Sequence, residues 1–223
     1  MHELITAPII SSNLQAVAWL VAGCIFLLSI NQRQYQLLFA TPARQTGVFA
    51  CALVFMLLWR IKAGILPGLE LHILGVTAIT LILGWRFALL SASLASLLLA
   101  AFNQISITQL PIQLLLSAYL PTLVSYGLFI LCYSLLPRHF FIYIFVCAFI
   151  CAALIACFKI ITVSGFYYAT GNYNWFELSE NYLYLCAIIW FPEAMLNGMA
   201  ITLLITYRPH WVKTFYDKDY LDS

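Results

Sequence analysis

The sequence predicts an all-α fold: a polytopic integral membrane helical bundle of about seven transmembrane helices, N-terminus outside and C-terminus cytoplasmic. Three observations predict it. Of 223 residues, 64% are hydrophobic and only 8% charged, whereas a soluble domain carries roughly 25% charged residues and covers its surface with about 25–35%. Apolar runs approaching the ~20 residues that cross a bilayer recur along the whole chain. Lys and Arg collect on alternate connections between those runs.

Charged or Pro/Asn-rich breaks divide the chain into seven apolar segments, near 13–30, 46–61, 69–85, 87–103, 112–136, 140–164 and 183–206. The second, third and fourth are short. The chain 1–223 reads as a single integral membrane domain, with an N-terminal segment 1–12, a bundle 13–206 and a cytoplasmic tail 207–223. The first segment is kept as mature structure, because its leader MHELITAPIISSN lacks the Lys or Arg of a signal-peptide n-region. Of the ten basic residues, Arg33, Arg44, Arg86, Arg138, Arg208, Lys213 and Lys218 fall on one set of connections and only Arg60 and Lys62 on the other. The positive-inside rule places the richer set in the cytoplasm. The tenth, Lys159, lies inside the sixth segment near its outer end, where its long stem can snorkel outward in preference to a pairing with Glu193. The expected location is the cell inner (plasma) membrane, in contact with lipid.

Several function classes are excluded. A formal charge of +2 with no basic stripe does not suit nucleic acid. No GxxxxGK[ST] loop occurs, so ATP-driven pumping needs a separate subunit. The seven cysteines all lie in apolar stretches and read as free thiols; Cys147/Cys151 and Met195/Met199, each four apart, read as apolar packing. No nucleophile and base stand at recognisable spacing, so the chain is not expected to be an enzyme. The segment from Gly165 to Tyr182 is rich in Tyr, Phe, Trp and Asn and reads as an interfacial aromatic belt or as a lid over an outward-facing site.

The chemistry begins at Met1-His2. A bulky His2 predicts that Met1 is retained with a free α-amine. That amine and the His2 backbone nitrogen close a five-membered ring on a metal, and the backbone nitrogen with the His2 Nδ1 closes a six-membered one. Planar nitrogen sets favour Cu(II) or Ni(II) over Zn(II), and binding weakens in acid because the amide must lose its proton. Three in-plane nitrogens leave one position open. His139 and His210 fall on the cytoplasmic side, which leaves His72, at the outer mouth of the third segment, to fill it.

These residues resemble the substrate-binding membrane component of the cobalt and nickel energy-coupling-factor transporters, the CbiM/NikM family. The resemblance rests on Met1-His2, on His72 leading into a segment that ends LILGWRFALL, and on Pro192, Glu193 and Gly198 in IIWFPEAMLNGMA. It implies that the Met1 amine, the His2 amide and imidazole, and His72 hold a divalent ion, Ni, Co or Cu, as transported substrate with no organic cofactor. It also implies a transmembrane coupling subunit and two cytoplasmic ATPase subunits as partners. The sequence departs from the family pattern after His2, where Glu3 to Pro8 contain no Gly. It departs again at Asn103 to Pro111, in place of a Gly-Ala-Asn turn, and at Pro67 to Leu71 before the histidine.

Glu193 is the only carboxylate deep in an apolar segment, a costly position that marks a functional candidate. It reads either as an acceptor that orients a metal ligand or as a protonated group hydrogen-bonded between helices. Pro192 beside it is expected to kink the last helix. The leading expectation is a metal-capturing component for ATP-driven import; the alternative is a stand-alone membrane metal-binding or metal-delivery protein without ATPase partners.

Overall fold

The computed structural model describes residues 10–216. Helix α1 (Ser12–Ser29) starts at Ser11, whose hydroxyl accepts from the Leu14 N–H. Only its small Ala18, Ala22 and Ser29 are buried; the large side chains, such as Leu20, Leu27 and Leu28, face outward. An apolar exterior of that kind suits lipid, and the small-residue spacing is the one that lets helices approach closely. Helix α2 (Gln32–Ala40), capped by Asn31, is a short element the hydropathy pattern did not announce. Helix α3 (Pro42–Arg60) has Pro at its first position, where a missing N–H costs nothing.

The third apolar segment departs from expectation. Instead of a helix over 69–85, the chain forms an antiparallel hairpin of β1 (Ala63–Leu66) and β2 (Leu69–Leu71). Pro67-Gly68 turns it, with Gly68 at φ +78°, the signature of a type II turn. Helix α4 (Val76–Leu83) follows, bounded by left-handed Gly75 and Gly84. Eight residues reach about 12 Å, less than half of a ~30 Å hydrocarbon core. The segment is apolar because protein surrounds it: Val76 to Leu81 are all buried. Hydropathy cannot distinguish burial in protein from burial in lipid.

Helix α5 (Trp85–Ala101) returns alongside α3, and the Ser91 hydroxyl donates to the Val48 carbonyl at 3.0 Å. Helices α6 (Leu110–Leu135) and α7 (Phe140–Ala169) each contain a π-helical stretch, Leu114–Tyr119 and Tyr143–Ile150. The first ends just before Pro121, whose missing N–H would have paired with the Ser117 carbonyl in a regular helix. Helix α8 (Trp175–Asn181) is set by a capping box between Asn174 and Glu177. Its Trp175 and Phe176 are exposed. Helix α9 (Cys186–Tyr207) contains Pro192. Among the described residues, five helical runs are long and apolar enough to cross a membrane: α1, α3, α6, α7 and Trp175–Tyr207; α5 is shorter. All seven cysteines are free.

Because α4 is short and enclosed, its terminal polar groups need partners from elsewhere in the chain. At its start they come from α9. At its end they come from residues 212–216, which fold back so that Lys213 N–H donates to the Ile82 carbonyl at 2.9 Å. The Thr214 hydroxyl donates to the Leu81 carbonyl at 2.8 Å and pairs with the Tyr143 hydroxyl at 2.6 Å. The last helix and the segment after it therefore hold α4 at both ends.

Candidate metal site

His72 leaves β2 and enters the stretch 72–75 that precedes α4. The segment is fixed on three sides. From α9, the two carboxylate oxygens of Glu193 accept the N–H groups of Leu74 and Gly75, both at 2.7 Å. One turn on, Asn197 Oδ1 accepts the Ala78 N–H at 2.7 Å while its Nδ2 donates to Glu193 Oε1 at 2.8 Å. From α3, Trp59 Nε1 donates to the Leu74 carbonyl at 3.0 Å, and its ring stands 6.2 Å from the His72 ring, centroid to centroid. Gly75 is favoured here: its φ is +66°, and a Cβ would lie 2.7 Å from Leu58 Cδ1, which would have to shift.

On the third side, β2 is held by α7. Lys159 is buried, and its Nζ donates to the Glu70 carbonyl at 2.6 Å and the Tyr182 hydroxyl at 2.9 Å. The same hydroxyl donates to the Glu70 carbonyl at 3.0 Å. This corrects the expectation that Lys159 snorkels outward: the hairpin supplies a carbonyl at that depth, a partner that no reading of α7 alone reveals. The Glu70 carboxylate pairs instead with Lys62 at 2.6 Å, and the Tyr173 hydroxyl donates to the Pro67 carbonyl at 2.7 Å.

Within this frame the His72 ring is buried, and among the described residues neither Nδ1 nor Nε2 has a hydrogen-bond partner. Buried polar atoms are nearly always paired, so an orphaned pair needs an explanation. Burial, with the nearby Lys159 and Lys62 charges, holds the imidazole well below its usual pKa range, which keeps it neutral and its lone pair available. The ring borders a cavity of about 40 Å³ lined also by Gln109, Gln113, Ser117, Lys159 and Ile10. That volume accepts an ion or a few waters. Among the described residues no group of three or more His, Cys, Asp or Glu gathers to hold a metal. Met1 and His2, the other ligands expected from the sequence, lie outside the described residues.

Residues 5–211 match the family described as the cobalt uptake substrate-specific transmembrane region, CbiM. The chain belongs to this family. As a CbiM-family protein it is a multi-pass inner-membrane component of cobalt uptake, and the family is one of transporter components. No curated protein and no solved structure matches it. Of the site residues read from the sequence, the structure brings His72 and Glu193 into one neighbourhood, with Glu193 acting on the backbone beyond His72 and not on its ring. Trp59, Lys159, Tyr182 and Asn197 were not anticipated as parts of it. Asn197 had a legible signal, a second polar residue four positions after Glu193 on one helix face; Trp59 and Tyr182 had none.

Proposed function

We propose that this CbiM-family chain captures Co(II) or Ni(II), with Cu(II) also admitted by its donors, at its extracytoplasmic end for ATP-driven import. The donors are the Met1 α-amine, the His2 amide nitrogen and Nδ1, and the His72 imidazole. The observation that carries the reading is the buried, neutral His72 ring, without a hydrogen-bond partner among the described residues, on a small cavity that Ile10 also lines. The eight Cα-to-Cα steps from His2 to Ile10 span at most about 29 Å when extended, so the tether permits the chelate. Deprotonation of the His2 amide supplies negative charge that offsets the nearby Lys159 ammonium. The chain carries no phosphate-binding loop, so the energy for import comes from partners: a transmembrane coupling subunit and two cytoplasmic ATPases.

The test is elemental analysis of purified protein beside two variants. Adding one or two residues before Met1 moves the amine away from His2 and is expected to abolish metal retention without altering the melting temperature. His72→Ala is expected to weaken binding while three donors remain. Metal content unchanged by the extension overturns the reading.

A further inference from the structure

The other end of α4 opens on a second cavity, of about 340 Å³, lined among others by Gly84, Trp85, Arg86, Tyr126, Tyr133 and Lys213. It is several times larger than the His72 cavity and has a different chemistry. Two cations border it, each fixed by neutral groups. The Arg86 guanidinium donates to the Ser29 carbonyl at 3.0 Å and lies 4.5 Å from the centroid of the Trp85 ring. Lys213 Nζ donates to Gln34 Oε1 at 3.3 Å, and its stem rests over Gly84, where a Cβ would come within 3.4 Å of it.

No carboxylate of the described residues compensates them. Glu70 is paired with Lys62, Glu177 caps α8, Glu193 caps α4, and Glu180 sits on α8. Arg44 adds a further positive charge beside Lys213, and burial together with Arg44 and Arg86 pushes the Lys213 ammonium below its ordinary pKa. An aromatic cavity whose two cations meet no carboxylate among the described residues is suited to an anion. Its wall includes Ile130, which is exposed, as is Leu131 beside it in sequence, an apolar surface that a soluble anion has no use for and an acyl chain does. Its position among Arg86, Lys213 and the Arg44 connection is the side that the distribution of basic residues assigns to the cytoplasm, where basic pockets between helices take lipid headgroups.

We propose that this cavity binds the phosphate of an anionic phospholipid, held by Arg86 and Lys213, with the acyl chains along the Ile130 and Leu131 face. The test is native mass spectrometry of the full chain released from bilayers of mixed phosphatidylglycerol and phosphatidylcholine. One phosphatidylglycerol per chain is expected to survive release. Lys213→Gln should lower its retention about fivefold, the effect of one basic residue at a membrane surface, and adding Arg86→Gln should lower it further. Lys62→Gln, which removes a cation that pairs with Glu70 of the hairpin and does not line this cavity, should leave retention unchanged. Melting temperature in detergent checks the fold; Lys213→Gln keeps a polar group opposite Gln34 and serves if the double variant does not fold. Equal retention of phosphatidylcholine, or no loss in Lys213→Gln, overturns the proposal. So does displacement of the lipid by millimolar inorganic phosphate, which would make a free anion the ligand. A chain ending at Tyr216 should also retain the lipid; retention only after that truncation would make Asp217, Asp219 and Asp222 the occupants and overturn it equally.

Discussion

Glu193 holds the backbone immediately beyond His72 from 119 residues away in sequence, accepting the Leu74 and Gly75 N–H groups with one oxygen each. The carboxylate thus determines where the imidazole stands without touching it. Glu193→Ala leaves those two N–H groups and the Asn197 amide short of an acceptor inside the bundle. At about 1–3 kcal/mol for each unsatisfied group, the substitution is expected to cost at least ~3 kcal/mol and to abolish metal retention. Glu193→Gln keeps one accepting oxygen and should fold with a smaller loss, about 1–2 kcal/mol, and weaker metal binding. Chemical unfolding in detergent and calorimetric metal titration measure both; wild-type values in Glu193→Ala would remove Glu193 from the site.

Gly75 closes the same loop. Gly75→Ala places a Cβ against Leu58 at a left-handed backbone position, a conformation that costs an L-residue roughly 1–2 kcal/mol before any clash. The expected outcome is a lower melting temperature and weaker metal binding together. Gly64→Ala, where a Cβ meets nothing within 4 Å, should change neither.

Stability should depend on pH through His72. The folded chain holds this imidazole neutral, while the unfolded chain protonates it near the ordinary value of 6.5. Below that pH the unfolded state binds the extra proton, so this contribution to stability is present above about 6.5 and is lost as pH falls. Metal-free protein is expected to melt progressively earlier from pH 7 to pH 5, and His72→Gln to flatten that dependence. An identical slope in the variant would assign it to other groups.

Trp59 gives a direct optical readout. Its ring stands 6.2 Å from that of His72, close enough for a paramagnetic ion on the imidazole to quench its emission. Adding Co(II) or Ni(II) should reduce tryptophan fluorescence, and Trp59→Phe should remove most of the change. The same variant loses the bond to the Leu74 carbonyl, expected to cost about 1 kcal/mol. Undiminished quenching in Trp59→Phe would place the ion elsewhere.

The sequence by itself determined the solvent and the family. Sparse charge and long apolar runs require lipid around the chain, and the positions of α1, α3, α5, α6, α7 and α9 follow from them within a few residues. It also marked His72 and Glu193, since an imidazole before an apolar run and a carboxylate within one are costly enough to stand out. Tertiary structure decided the rest. Only the folded chain shows that the third apolar segment is a hairpin and a half-length helix, because apolar side chains read alike whether protein or lipid surrounds them. Only the folded chain gives Lys159 its carbonyl and Glu193 its two N–H groups. Those partners lie 89 to 119 residues away, and a hydrogen bond depends on where two chain segments meet in space, which no local pattern encodes.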